Sequence, residues 1–269
     1  MRRRVAIVAV CCMGLLGGYL RSLTQATGAT ATVMISIPAG PFRMGSDTGP
    51  MDERPMHSVH LDAFQIDRTP VTNAQFAVFL NAMGRLSTHG ERLFDVDDHD
   101  ARIHQQDNTW VAETGFALHP VVEVSWVGAR DYCRWLGKRL PTEAEWEKAA
   151  RGTDGRQYPW GDNLPDPTRA QYKAGWNDTA PVGSFPAGAS PYGVLDMAGN
   201  VWEWVSSAYL PYPYQAADGR EDLTSGPVRS TRGGGHDTSP ADLTTTQRGR
   251  LLSRNPRAGH HNIGFRCAQ

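Results

Sequence analysis

Thiols are scarce in this chain of 269 residues: it holds four cysteines, and two of them, Cys11 and Cys12, fall within the first 12 positions. A cysteine-dense scaffold is excluded. Only Cys133 and Cys267 remain in the body of the chain; in an oxidising compartment such a pair suggests one disulfide, and two buried free thiols are the other reading. Long apolar runs are missing too. The longest, Val5 to Leu20, has 16 residues, short of the ~20 that a membrane helix needs. There is no basic excess: net charge is −1, and without the first 31 residues 23 basic side chains face 28 acidic ones, for −5. A polyanion-binding surface, and with it a nucleic-acid partner, is therefore not indicated. No internal repeat is visible. The 28 Gly and 18 Pro are spread along the chain, which predicts many turns and irregular backbone rather than a helical bundle.

The N-terminus has the layout of an export signal. Arg2, Arg3 and Arg4 precede the apolar run, and Ala29-Thr30-Ala31 follows it as an A-x-A cleavage site. Residues 1–31 are read as a signal peptide, or as an uncleaved anchor whose far end is Arg21, and residues 32–269 as one domain. Val10, the residue before Cys11, is too bulky for a good lipoprotein site. A periplasmic or secreted location is expected, with membrane contact only if the segment stays attached.

Within the domain, Val33–Phe42 reads as a strand and turn, and Ser58–Ile66 as a second strand from the alternation of Val59, Leu61, Phe64 and Ile66. Thr72 can cap a helix to about Met83 with Phe76, Phe79, Leu80 and Met83 on one face. Residues 84–119 are polar and weakly patterned, with a strand-like patch around Trp110. Val121–Val124 reads as a short strand. Ser125 caps a helix through Leu136 with Ala129, Tyr132, Cys133 and Leu136 inward. Thr142-Glu143-Ala144-Glu145 is a capping box opening the next helix. Beyond Gly152 only short strands are expected.

Ser190–Trp204, S-P-Y-G-V-L-D-M-A-G-N-V-W-E-W, has neither helical nor strand periodicity. Asp196 and Glu203 supply hard anionic oxygens, and Gly199 lets carbonyls turn inward, a mixture suited to calcium. The plainer alternative is a tight loop whose Trp202 and Trp204 plug the core.

Seven motifs in order carry a resemblance to a known family: I-P-A-G-P-F-R-M-G at 37–45, T-P-V-T-N-A-Q-F at 69–76, H-P-V-V-E-V-S-W at 119–126, R-L-P-T-E-A-E-W-E at 139–147, Y-P-W-G at 158–161, Y-G-V-L-D-M-A-G-N-V-W-E-W at 192–204 and G-F-R-C-A at 264–268. Together they resemble the formylglycine-generating enzyme (sulfatase-modifying factor) family over nearly all of 33–269. The resemblance implies an α+β fold related to C-type lectins, low in regular structure and contained in a single domain. It also implies a disulfide between Cys133 and Cys267. One family calcium site maps onto Asp196, Gly199, Val201 and Glu203. A second maps onto Gln171 and Ala174; Ala174 lacks a ligand atom, although Asn177 and Asp178 are close in sequence.

In formylglycine-generating enzymes two cysteine thiolates in a segment beginning G-G-S bind Cu(I), a pairing that soft sulfur favours. Here those positions align with Thr238 and Leu243. Copper is not expected, nor is oxidation of sulfatase cysteines by that route. Whether the chain is an enzyme stays open, and three readings follow. It is an exported oxidoreductase-like protein resembling other branches, such as the periplasmic pyoverdine-maturation proteins, with His236, Asp237, His260 and His261 offering iron ligands. Against this, neighbouring residues on an extended backbone face opposite ways and cannot easily share one ion. Alternatively, it is a lectin-like module holding a peptide or sugar in a groove formed by Trp202, His236, Asp237, Thr238 and Arg248, or a regulatory partner of an envelope enzyme. Arg248, Arg250, Arg254 and Arg257 form the one basic concentration, read either as meeting an anionic ligand or as pairing internally.

Overall fold

The computed structural model describes residues 32–175, 178–224, 228–249 and 255–269. Residues 1–31, read above as a signal peptide, and Asn177, Arg250 and Arg254 lie outside the described residues. Thr32–Gln269 form one compact unit. Among the described residues no helix is long and apolar enough to cross a membrane.

Among the described residues, capping residues set all three α-helices. Helix α1 (Asn73–Met83) starts where Thr72 and Gln75 cap each other's backbone N–H groups, and ends at Gly84, whose φ of 80° suits glycine. Phe76, Phe79 and Leu80 are buried as expected, whereas Met83, the last residue of the helix, lies past the core and is 49% exposed. Ser125 caps α2 (Trp126–Trp135). The capping box of Thr142 and Glu145 opens α3 (Glu143–Arg151).

Each of the first two expected strands is in fact two. β1 (Met34–Ile37) pairs antiparallel with β4 (Phe64–Asp67), and β2 (Gly40–Met44) with β3 (His57–Leu61). Pro38 has no N–H to continue a ladder, so the chain leaves one pairing and enters the next. β5 (Ile103–Gln106) and β6 (Thr109–Ala112) form a hairpin around Trp110, turning on Asp107 and Asn108 with φ of 48° and 62°, values suited to a two-residue hairpin loop. Val121–Val124 is not a strand. Only isolated bridges flank it, at Pro120 and Val124, because Glu123 takes a φ of 57° that breaks extended pairing.

The largest difference from expectation is at Trp202. Trp202–Trp204 opens β7 (Trp202–Ala208), the central strand of a three-stranded sheet. β8 (Arg229–Arg232) lies antiparallel on one side, and β9 (Ile263–Phe265) parallel on the other. All seven residues of β7 are buried, and a strand covered on both faces has no polar–apolar alternation to reveal it.

Phe76, Phe79, Tyr132 and Phe265 pack ring against ring between α1, α2 and β9, with centroids 5.3–6.0 Å apart. The Cys133–Cys267 disulfide closes that cluster, with Cα atoms 5.6 Å apart. Trp146 and Ala149 of α3 pack with Ile37, Ile66 and Val205 in a second apolar cluster.

Candidate functional site

The loop before β7 is held by its own side chains. Asn200, at φ 63°, donates its N–H to Gln171 O and pairs its amide with both backbone groups of Ala180. Gly199, at φ 77°, lies so close to Gln171 that a Cβ there would come within 2.3 Å of its carbonyl oxygen. Asp196 is 6% exposed. Its Oδ2 accepts the Gly183 N–H at 2.6 Å, while the buried Oδ1 has no hydrogen-bond partner. Burial pushes its carboxyl up to about 6.

Glu203 is placed differently. Its carboxylate takes two bonds from Arg266, at 2.6 and 2.7 Å, and a third from the Trp146 indole at 2.9 Å. Arg266 also reaches the carbonyl of Asp196. The donor set of Asp196, Gly199, Val201 and Glu203 thus fits a hard cation best at the Asp196 end, where a buried oxygen lacks a partner. At the Glu203 end a guanidinium already balances the charge. Of the second family site, Gln171 directs its side-chain amide to the Asp178 carbonyl at 2.8 Å.

Around Trp202 the structure collects most of the expected pocket residues, though not all. The backbone of Gly235 lies against the Trp202 ring. His236 is fully buried, and its Nδ1 lies 3.1 Å from the Asn200 carbonyl. A carbonyl only accepts, so Nδ1 carries the proton and Nε2 is left as a bare acceptor, buried and without a partner. Burial lowers the pKa of His236. Asp237 points the other way, to the surface. Its carboxylate is held by Asn262 at 3.0 Å and by His261 at 3.4 Å; chiefly the His261 contact lowers its pKa. His236 and Asp237 lie not on the extended backbone that was expected but in a turn closed by the Thr238 N–H on the Gly235 carbonyl. Asn200 and Asn262 were not anticipated as site residues, whereas His261 was named as a candidate iron ligand; Asn200 lay inside a quoted motif, but no pattern marks Asn262.

Arg248 does not join this group. It is 1% exposed and bonds to Glu143 at 2.7 and 3.1 Å and to the carbonyls of Asp52 and Leu210. Its guanidinium stacks on Tyr209 and Tyr212. A buried cation needs a buried anion, and Glu143 is that anion for Arg248 and, at 3.3 Å, for Arg232. Arg257 stays 77% exposed, 3.7 Å from Glu91.

Thr238 and Leu243 both flank Gly234: a Cβ there would meet Leu243 Cδ2 at 2.8 Å and Thr238 Cγ2 at 3.3 Å. The Thr238 hydroxyl accepts the Gly235 N–H at 2.8 Å, and Leu243 is fully buried. Beside this segment opens a cavity of about 430 Å³ whose lining includes Ser46, Thr48, Glu53, Gln157, Thr244 and Gln247. Of the iron candidates, His236 and His261 have ring centroids 6.1 Å apart and Asp237 reaches His261, while the His260 ring lies against Trp204; no three of them bring ligand atoms within 4.8 Å of one another. Among the described residues, the group of three metal-ligating side chains within 4.8 Å of one another is Asp98, His99 and Asp100, elsewhere in the sequence.

Residues 21–269 match the family described as sulfatase-modifying factor enzyme 1-like domain. The chain belongs to this family. The sulfatase-modifying factor domain is 34% identical over 297 residues to the formylglycine-generating enzyme of Mycobacterium tuberculosis, covering 88% of this chain and 97% of that protein. It is 41% identical over 244 residues to the serine/threonine-protein kinase Pkn1 of Chlamydia trachomatis serovar L2, covering 88% of this chain. The match spans only 38% of that kinase's length. Among solved structures, PvdO from Pseudomonas aeruginosa superposes with a TM-score of 0.66 at 27% identity, covering 87% of this chain and 93% of that one. The α+β fold with little regular structure is shared.

Proposed function

We propose that this sulfatase-modifying factor domain is an exported binding protein that holds a polar segment, peptide or glycan, of an envelope partner and does not convert cysteine to formylglycine. One observation carries the reading: at the two thiolate positions stand a hydroxyl occupied by the Gly235 N–H and a buried leucine. Neither side chain offers the soft sulfur that Cu(I) needs. Among the described residues the cysteines, Cys133 and Cys267, are bonded to each other.

The cavity beside Ala241–Gln247 supports the binding half of the reading. Its hydroxyls and amides offer donors and acceptors beside the charged side chains of Arg151 and Asp242, while burial raises the Glu53 carboxyl that also lines it above the usual range. Calcium is expected at Asp196, where the unpartnered Oδ1 and the carbonyls of Gly199 and Val201 would hold it. Bound there, calcium would fix the loop that carries Asn200 and, through the Asn200 carbonyl, His236.

Peptide and glycan arrays probed with the full chain test the reading. Capture of a defined ligand, lost when Thr244→Trp fills the cavity, is expected. Capture that is unchanged in Thr244→Trp would move the site elsewhere.

A second reading, an oxidoreductase-like protein using a non-thiolate metal, rests on the bare Nε2 of His236. Stoichiometric iron lost in His236→Ala would favour it over the binding protein.

A further inference from the structure

A second cavity, of about 360 Å³, shares no lining residue with the one beside Ala241–Gln247. Three parts of the chain bring cations to it: Arg130 and Arg134 from α2, Arg229 from the start of β8, and Arg257 from the turn after Pro256. Among the described residues that line it, Glu91 is the one carboxylate. Four guanidiniums therefore surround one small space in a domain whose net charge is −5.

Trp126 anchors two of the four. The Arg229 Cζ lies 4.1 Å from the centre of its ring and the Arg130 Cζ 5.3 Å from it, an arrangement that an aromatic face favours. The ring is itself fixed, its N–H donating to the Val205 carbonyl of β7 at 2.8 Å. Arg229 is 2% exposed, and its Nη groups donate to the carbonyls of Ser206 and Asp222, each at 2.8 Å. These bonds set the direction of the guanidinium before any ligand arrives.

Arg134 follows Arg130 by four residues on α2, so the two side chains are neighbours on one face of the helix. The Arg134 side chain is exposed, and among the described residues no hydrogen bond or ion pair occupies its guanidinium. Arg257 comes no closer than 3.7 Å to Glu91. Outside the lining, Asp131 takes the Arg130 Nε at 2.8 Å, which leaves the Nη end. Glu221 and Asp222 act on Arg229, but Glu221 is already held by the hydroxyls of Ser206 and Tyr214, at 2.8 and 2.9 Å.

Like charges around a concave space repel one another and favour an anion between them. The directions of approach indicate its shape. A planar carboxylate is matched by one guanidinium fork, whereas cations arriving from a helix, a strand and a turn suit a tetrahedral group with three free oxygens. Trp126, Val127 and Leu223 give the same cavity an apolar side.

We propose that this cavity binds a phosphate monoester with an apolar or aromatic substituent. Arg130, Arg134 and Arg257 take the phosphate, Arg229 fixes the Trp126 platform, and the substituent lies against Trp126 and Leu223. A single compact anion of this kind needs no extended basic surface. The site is independent of the proposed peptide or glycan cavity.

The test is calorimetric titration of the full chain with phenyl phosphate, and with phenylacetate as the carboxylate of similar size. Arg134→Gln, Arg257→Gln and Thr244→Trp are run alongside; the two arginines are exposed, so their variants should melt as wild type does. The expected result is one equivalent of phenyl phosphate, bound about tenfold more weakly in each arginine variant, the scale of one lost charge-assisted hydrogen bond. Thr244→Trp should bind as wild type does, and raised salt should weaken binding throughout. Absence of binding, or unchanged affinity in folded Arg134→Gln, would overturn the proposal. Phenylacetate bound as tightly as phenyl phosphate would overturn the choice of a phosphate, and loss in Thr244→Trp would place the anion in the other cavity.

Discussion

Arg266 grips Glu203 with two parallel hydrogen bonds, Nη2 to Oε1 at 2.6 Å and Nε to Oε2 at 2.7 Å, where neither residue is exposed. The same guanidinium donates to the carbonyls of Asp67, Arg68, Leu195 and Asp196. One side chain of β9's flank therefore ties the end of β4, the loop before β7 and β7 itself. Arg266→Ala leaves Glu203 charged and buried with only the Trp146 indole as donor, and is expected to cost about 3–5 kcal/mol. Urea unfolding checks this; a loss under ~1 kcal/mol, the scale of an exposed pair, would show that water reaches Glu203.

The Cys133–Cys267 bond closes a loop spanning 134 residues of sequence separation. In the chain-entropy picture such a cross-link stabilises by about 4–5 kcal/mol through the unfolded state. The Cys133→Ala/Cys267→Ala pair should unfold at markedly lower urea concentration than wild type. An unchanged midpoint would mean that the apolar cluster around Phe76 holds the two ends without help.

Burial lowers the pKa of His236 and of His260. Both are then neutral in the folded state near neutral pH, whereas unfolded histidine titrates near 6.5. Between the lowered folded value and ~6.5 the unfolded chain binds more protons, so stability rises with pH in that window. The contribution is full above ~6.5 and fades as pH falls through it. His236→Gln should lose part of the fall in melting temperature between pH 7 and pH 5. Parallel curves for variant and wild type would remove His236 from the account.

How legible the molecule was differs from place to place. The caps at Thr72, Ser125 and Thr142 were readable because a side-chain oxygen followed three residues later by its partner is a local signal. The Cys133–Cys267 pairing and the fold came from the motif order, which carries long-range information that periodicity lacks. β7 was not readable: W-E-W-V-S-S-A is buried on both faces, with Glu203 satisfied by Arg266 some 60 residues on, at a sequence separation of 63. Arg248 was misplaced for a similar reason, since its anion, Glu143, lies 105 residues away in sequence.

Replacing the two non-thiol positions tests how much of the copper geometry survives. The side chains of Thr238 and Leu243 both lie where a Cβ on Gly234 would reach them, at 3.3 and 2.8 Å, so Thr238→Cys/Leu243→Cys should gain Cu(I) binding that wild type lacks. Competition with a Cu(I) chelator reads this out. A double variant that folds, with the Cys133–Cys267 bond intact, and takes up no Cu(I) would indicate that the segment has moved as well as changed its residues.

The most direct measurement is mass spectrometry of a cysteine-containing sulfatase-type peptide after incubation with the full chain, Cu(I), oxygen and a thiol reductant. Unmodified cysteine is expected, since neither Thr238 nor Leu243 can hold copper as a thiolate. Conversion of that cysteine to an aldehyde by wild type, lost when the Gly235–Thr238 region is altered, would contradict it.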